Sequence, residues 1–143
     1  MTSGLAVYDT MRYVACDVRT LALGQASSMA ALLLAAGSTR LALPNARIML
    51  HQPSGGVAGT AESMSIHAEE IIKVRHRINA MFAEHTKKPL GVIEEALRND
   101  YFLTAREAVE FGLVDRVVTK RSDAAPGSGA GSAAGSAAEP SSS

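Results

Sequence analysis

The sequence contains a single cysteine, Cys16, so it has neither the pair needed for an intrachain disulfide nor the thiolate cluster of a zinc site. The histidines supply no metal site instead. His67, His76 and His85 follow each other at intervals of nine residues on one predicted helix, which points neighbours in the series to opposite faces. We therefore expect neither a metal nor a cofactor. Such sparse use of cysteine suits a reducing cytoplasm, where we expect the protein.

An excess of one charge and long apolar runs are also missing. Lys and Arg number 14, as do Asp and Glu, so the net charge is zero and no basic field for nucleic acid is expected. The longest apolar stretch, residues 29–37, is too short to span a bilayer, and residues 1–15 lack the pattern of a signal peptide. We expect a soluble protein that binds neither nucleic acid nor membrane.

Large side chains are scarce at the C-terminal end. Residues 122–143 are Ala, Gly, Ser or Pro apart from Asp123 and Glu139, and such a segment buries too little apolar surface to offset its chain entropy. We expect one globular domain over residues 1–121 and a disordered tail over residues 122–143.

The body alternates between patterns typical of helices and of strands. Helices are predicted over residues 3–14, 28–37, 60–87, 89–98 and 105–112, and strands over residues 18–23, 40–43, 47–50 and 113–118. Strands that alternate with helices favour parallel pairing through crossover helices, which is an α/β layer architecture.

Ser28 lies where an apolar strand ends and a helix with apolar residues on every face begins. The first amides of a helix have no intrahelical acceptor, and that of Met29 is the best placed to stabilise a developing oxyanion near Ser28. The alternative is that Ser28 or Ser27 only caps the helix, which is the commoner role of a serine at this position.

His51 and Asp100 occupy positions from which their side chains can reach a cleft. His51 ends a predicted strand before a glycine-rich loop, and Asp100 closes a short helix before the apolar residues 101–103, which we expect to be buried. An aspartate there can orient an imidazole. Alternatively, His51 bonds a backbone carbonyl and Asp100 only supports a turn.

Together, these segments resemble the proteolytic subunit of the ATP-dependent Clp protease. Residues 24–31, GQASSMAA, resemble the nucleophile motif of that family, and residues 43–53, LPNARIMLHQP, resemble its histidine motif. Residues 98–105, RNDYFLTA, are similar to the segment that carries its aspartate. Residues 4–11 and 111–115 match as well, so the resemblance extends in order from near residue 3 to residue 118.

The resemblance implies a Clp/crotonase-type fold with layered β-sheets, crossover helices and a long protruding handle helix from residue 60. It also implies a serine endopeptidase without a cofactor. In that enzyme Ser28 is the nucleophile, His51 the general base and Asp100 the residue that orients it, with the amide of Met29 in the oxyanion hole.

Substrate and partners follow from the same resemblance. The segment Gln52, Pro53, Ser54, Gly55 and Gly56 would be a strand that pairs with an extended substrate. An ATPase of the AAA+ type would feed unfolded polypeptides to two stacked heptameric rings of proteolytic subunits, a tetradecamer that serves protein quality control.

The chain departs from the family pattern at its start. Family members carry further strands and a Ser-x-Gly-Gly stretch, which completes the oxyanion hole, ahead of the first helix seen here, so we expect a truncated chain or a misplaced start. The sequence leaves two other functions open. One is a weakly active or non-catalytic ring subunit that assembles with a full-length paralogue, and the other is a crotonase-type hydratase or isomerase of acyl-coenzyme A thioesters.

Overall fold

The computed structural model describes residues 2–56 and 58–125. The helices are α1 (Thr2–Tyr13), α2 (Met29–Ala35), α3 (Ala61–Thr86), α4 (Leu90–Ala96) and α5 (Ala105–Phe111). The strands are β1 (Arg19–Ala22), β2 (Gln25–Ser27), β3 (Thr39–Ala42), β4 (Arg47–Leu50), β5 (Tyr101–Thr104) and β6 (Arg116–Val117). The predicted helices are all present, whereas β2 and β5 are strands that the pattern of the sequence does not predict.

The strands of the described residues form two three-stranded sheets, in the orders β1-β3-β6 and β2-β4-β5. This confirms the α/β layer architecture expected from the sequence. The expectation of parallel pairing is correct for β1-β3, β3-β6 and β2-β4 but wrong for β4-β5, which is antiparallel. The reason is that α3 and α4 pack against each other as a helical hairpin. The chain therefore comes back to the end of the sheet at which β4 finishes, and β5 starts there.

Helix α2 lies at the centre of the fold, where it contacts strands of both sheets and helices α1 and α3. Ala31, Leu32, Leu34 and Ala35 are buried, as expected for a helix that is apolar on every face, while Ala30 is exposed. The core continues into Ile48 and Leu50 of β4, Ile78 and Phe82 of α3, and Leu113 and Val114 after α5. Strand β4 is therefore anchored in the core by alternate side chains.

Helix α3 is buried only in its second half. Thr60 caps its first turn by accepting a hydrogen bond from the amide of Ser63 at 3.3 Å, and Lys87 ends it in a left-handed conformation with φ 59°. Its buried residues, Ile78, Asn79, Phe82 and Thr86, all lie in the second half. The first half projects from the core, as expected for a protruding handle helix.

The prediction that residues 101–103 are buried is wrong for two of them. Leu103 is 3% exposed, but Tyr101 is 39% and Phe102 is 50% exposed. The reason is that β5 lies at the edge of its sheet. The guanidinium of Arg47 lies over the ring of Phe102, 5.7 Å from its centroid.

The boundary predicted at residue 121 falls in a short 3₁₀ helix, Arg121–Ala124. Arg19 donates a hydrogen bond to the carbonyl of Ala124, and Arg116 donates one to the carbonyl of Asp123 at 2.9 Å. Asp123 and Ala124 therefore contact the body of the fold. The rest of the predicted tail, residues 126–143, lies outside the described residues.

Arg40 of β3 connects three segments that are distant in the sequence. Its guanidinium binds the carboxylate of Asp115 through Nε at 3.0 Å and also through Nη2. Nη1 donates to the carbonyls of His85 at 3.1 Å and Gly112 at 2.6 Å. Burial acts to raise the pKa of Asp115, but the hydrogen bonds and charge of Arg40 outweigh it and lower that pKa.

Replacing Arg40 with Leu should reduce the free energy of unfolding at pH 7 by about 2 kcal/mol, the scale of hydrogen bonds to charged groups. Because the pKa of Asp115 is lowered in the folded chain, its stabilising contribution is present above the unfolded pKa and is lost as the pH falls through the folded value. The loss caused by Arg40→Leu should therefore be smaller below about pH 4.

Urea unfolding at pH 7 and below about pH 4 measures this difference. Arg77→Leu, which removes an exposed arginine on α3, is the matched control. The control should alter stability little at either pH. An equal loss for Arg40→Leu at both pH values would contradict the role of its pair with Asp115.

Candidate active site

Ser28 and His51 lie at the same end of the β2-β4-β5 sheet, because β2 and β4 are parallel and each residue directly follows one of these strands. The register pairs Ser27 with Met49, and the amide of Ser28 donates to the carbonyl of Met49 at 2.8 Å. Both strands end at this edge. The side chains of Ser28 and His51 line the same small cavity, which we call the Ser28 cavity.

Asp100 reaches His51 from the other side because β4 and β5 are antiparallel. Leu50 lies opposite Tyr101 in the register, so the next residues outward, His51 and Asp100, face each other. Nδ1 of His51 lies 3.5 Å from Oδ1 of Asp100, which is longer than an ordinary hydrogen bond. His51 also lines a shallow groove together with Asp100, which we call the Asp100 groove. His51 thus lines both the Ser28 cavity and the Asp100 groove.

The backbone of Ser28 differs from that of a helix cap. Its φ is 55° and its ψ is −117°, and its side chain makes no capping hydrogen bond. Residues with a side chain rarely adopt a positive φ, and such strain concentrates at functional sites. Ser27 does not cap the helix either, since its hydroxyl accepts a hydrogen bond from Nε2 of Gln25 at 2.6 Å. These observations disfavour the alternative in which either serine only caps α2.

The amide of Met29 lies at the start of α2, as the sequence predicts for an oxyanion donor. The first hydrogen bonds of the helix run to the carbonyl of Ser28 from the amides of Ala31 at 3.1 Å and Leu32 at 3.2 Å. The amide of Met29 precedes these bonds, so it has no acceptor within the helix. Met29 also lines the Ser28 cavity.

The walls of the Ser28 cavity include two residues that the sequence indicates only as part of a core-facing helix surface. Ile78 and Phe82, one turn apart on α3, close the cavity together with Pro53. Its volume is about 10 Å³, close to the space that one water molecule occupies. Helical periodicity shows that both residues face inward, but it does not show which turn of α3 lies beside Ser28.

The predicted substrate-binding segment forms no strand. Residues 51–56 have no regular secondary structure, because no neighbouring strand pairs with them among the described residues. Pro53 faces the Ser28 cavity, and Ser54 faces the Asp100 groove. Nε2 of Gln52 donates to the carbonyl of Arg98 at 3.0 Å, while Gly55 and Gly56 are exposed. The segment therefore lies beside the candidate site with an unpaired backbone.

Neither a metal-binding cluster nor a membrane-spanning helix is present within the described ranges. No group of three or more His, Cys, Asp or Glu side chains there is arranged to hold a metal ion. No helix in the same ranges combines the length and the apolar character that crossing a bilayer requires.

Replacing Ser28 with Gly should give a protein about 1 kcal/mol more stable than replacing it with Ala. Glycine adopts a φ of 55° without steric conflict, whereas alanine keeps the strain of the native residue. Both variants lack the hydroxyl, so the difference between them reports the backbone alone. Urea denaturation of the two variants measures it, and equal stabilities would contradict backbone strain at this position.

The chain matches a known protein family over most of its length. A family model described as Clp protease matches residues 1–121. The matched range contains α1 to α5, β1 to β6 and the three candidate residues Ser28, His51 and Asp100.

Proposed function

Because the chain belongs to the Clp protease family, we propose that it is the proteolytic subunit of an ATP-dependent Clp protease and hydrolyses peptide bonds as a serine endopeptidase. The observation that carries the proposal is that His51 lines one small cavity with Ser28 and that its Nδ1 lies 3.5 Å from Oδ1 of Asp100. Three segments far apart in the sequence supply them.

The chemistry begins with the hydroxyl of Ser28. His51 accepts its proton at Nε2 while the oxygen attacks the carbonyl carbon of the scissile peptide bond. The negative charge that develops on the carbonyl oxygen is stabilised by the amide of Met29 at the start of α2. The imidazolium then donates the proton to the leaving amine, and water repeats the sequence to release the acyl group from Ser28.

Asp100 acts on the imidazole rather than on the substrate. Its carboxylate faces Nδ1 of His51, so a proton on Nδ1 is favoured and Nε2 stays free to act as the base. This contact is long at 3.5 Å, and catalytic hydrogen bonds often shorten when substrate binds.

An extended polypeptide is the substrate that the surroundings fit best. The segment Gln52, Pro53, Ser54, Gly55 and Gly56 offers unpaired backbone groups beside the site, which is what strand addition requires. Ile78 and Phe82 line the Ser28 cavity, whose volume of about 10 Å³ leaves room beside Ser28 for no more than a very small group of the substrate. Recognition through the backbone suits unfolded polypeptides of varied sequence.

Assembly with other proteins completes the proposal. Several large apolar side chains are exposed in the single chain, among them Leu23 at 63% and Ile66 at 66%. Ile66 lies on the projecting half of α3, where it is available to a second copy. We place the chain in stacked heptameric rings of proteolytic subunits in the cytoplasm, supplied with unfolded substrates by a AAA+ ATPase.

A weakly active ring subunit is the second candidate. Two observations on the single chain favour it. Nδ1 of His51 and Oδ1 of Asp100 are 3.5 Å apart, and the side chain of Asp100 is 63% exposed. A direct measurement of nucleophile reactivity separates the two candidates.

A fluorophosphonate probe should label Ser28 covalently, because only an activated serine hydroxyl attacks it at a useful rate. Ser28→Ala should abolish labelling, and His51→Ala should slow it by roughly a thousandfold or more. Ser27→Ala, which removes the neighbouring hydroxyl, is the matched control and should still be labelled. Mass spectrometry of the labelled peptide identifies the modified residue. Absence of a Ser28 adduct in assembled rings would contradict the proposed serine peptidase activity.

Asp100→Asn should lower kcat/KM for a fluorogenic peptide by about 10⁴-fold, because an amide at that position favours the wrong tautomer of His51. Asn99→Ala changes a neighbouring residue of the Asp100 groove and should leave the rate nearly unchanged. Steady-state kinetics of both variants measure the contrast. Similar rates for the wild type and Asp100→Asn would remove Asp100 from the mechanism.

A further inference from the structure

The regular pairing of β4 with β5 ends just before the two residues that it brings together. The last paired residues are Leu50 and Tyr101, so His51 and Asp100 lie one position beyond the ladder. Among the described residues, no backbone hydrogen bond joins the two segments beyond the ladder. One segment leads away towards α3, and the other comes from α4. The ladder therefore supports His51 and Asp100 from one side only.

A side-chain hydrogen bond supports the same pair from the other side. Nε2 of Gln52 donates to the carbonyl of Arg98 at 3.0 Å. Gln52 directly follows His51, and Arg98 precedes Asp100 by two residues. All four residues line the Asp100 groove. The bond thus joins the two segments where a further backbone bond of the ladder would have joined them.

The acceptor of this bond has a fixed position. The carbonyl of Arg98 lies just after the end of α4, and the amide of Arg98 donates to the carbonyl of Glu95 at 3.2 Å. The side chains of the same two residues pair at 2.9 Å. The residue before Arg98, Leu97, is 1% exposed and belongs to the core. Because its surroundings hold it in this way, the Arg98 carbonyl can serve as an anchor.

The donor is constrained by its neighbours in the chain. Pro53 follows Gln52, and the residue before a proline favours extended backbone, in which successive side chains point to opposite sides. His51 and Pro53 line the Ser28 cavity, whereas Gln52 between them does not. A carbonyl oxygen only accepts hydrogen bonds, so the N–H of the Gln52 amide must face it. The side chain of Gln52 therefore holds, from outside the cavity, the backbone that carries His51.

We propose that Gln52 is a positioning residue for the reaction. By binding the carbonyl of Arg98, its amide keeps the imidazole of His51 opposite Asp100. The contact of 3.5 Å between Nδ1 and Oδ1 is too long for a strong hydrogen bond, and water screens it, so the pair needs support from its surroundings. The inference rests on the proposed function. It gives Gln52 a role through His51, in addition to the substrate contact expected from the sequence.

Gln52→Met removes the donor while keeping the length of the side chain. In the full-length chain it should slow labelling of Ser28 by the fluorophosphonate about fivefold, the scale of one hydrogen bond. The probe is too small to extend along residues 52–56, so a role in substrate binding alone would leave labelling unchanged. Gln52→Asn, whose amide is one methylene too short to reach the carbonyl, should behave like Gln52→Met. Asn99→Ala, which removes another side-chain amide from the Asp100 groove, is the matched control and should not slow labelling.

The same change in an Asp100→Ala chain separates positioning from a general effect on the site. Without a carboxylate opposite His51, the support from Gln52 has no partner against which to hold the ring. Gln52→Met should therefore slow labelling by less than about twofold in that chain, as expected for two residues that act as a unit. An undiminished fivefold effect there would contradict the proposal.

The tautomer of His51 gives a readout that does not depend on catalysis. The ¹⁵N chemical shifts of an imidazole report which ring nitrogen carries the proton, and they are measured at about pH 8.5, where an ordinary histidine is neutral. Gln52→Met should lower the share of the form protonated on Nδ1, whereas Asn99→Ala should not. A purely structural role of Gln52 would lower stability and leave the tautomer of the folded molecules unchanged.

Failure of this inference and failure of the proposed function are distinguishable. If the wild type is labelled at Ser28, an equal rate in Gln52→Met or an unchanged tautomer of His51 would overturn the role of Gln52 alone. If the wild type is not labelled, the proposed peptidase is overturned. The tautomer would then still decide whether Gln52 positions His51.

Discussion

The backbone hydrogen bonds of β4 set the position of every group in the candidate active site. β4 is the central strand of its sheet, with β2 parallel on one side and β5 antiparallel on the other. The parallel register places Ser28 beside the end of β4, and the antiparallel register places Asp100 opposite His51. A slip of one residue in either pairing would turn the side chains to the opposite face. Ile48 and Leu50 of β4 are buried in the core. A slip that turned β4 over would expose both side chains, so their burial opposes it.

The same core supports the strained turn at Ser28. A positive φ at a residue with a side chain persists only where the surrounding structure fixes it. Here the amide of Ser28 is bonded to β4, and the helix that follows is held by the burial of Ala31 and Leu32. Gly4 of α1 packs closely on the side chain of Met29, where an added Cβ would lie 2.9 to 3.1 Å from the Met29 side-chain atoms. The hydroxyl is thus held at the start of α2 by contacts on three sides.

Much of the fold can be predicted from local pattern, whereas the site depends on pairings that local pattern does not encode. The long periodic segment predicts a helix over residues 60–87, and α3 spans Ala61–Thr86. The sequence also predicts a helix over residues 105–112, and α5 spans Ala105–Phe111 with a capping box at Thr104. In contrast, β2 has only three residues and no alternating pattern, and the antiparallel partner of β4 lies about 50 residues further along the chain. The positive φ of Ser28 depends on tertiary packing, so local pattern does not predict it.

The exposure of Asp100 explains why register contributes more than charge in the single chain. Its side chain is 63% exposed and that of His51 is 29% exposed, so water screens their attraction. At 3.5 Å the carboxylate orients the ring mainly because β4 and β5 hold the two residues opposite each other. Any contact that excludes water from the Asp100 groove would strengthen the electrostatic part, since the same charges interact more strongly at lower dielectric. The proposed assembly into rings would supply such a contact if it covers the Asp100 groove, and the solvated His51 and Asp100 would then interact more strongly.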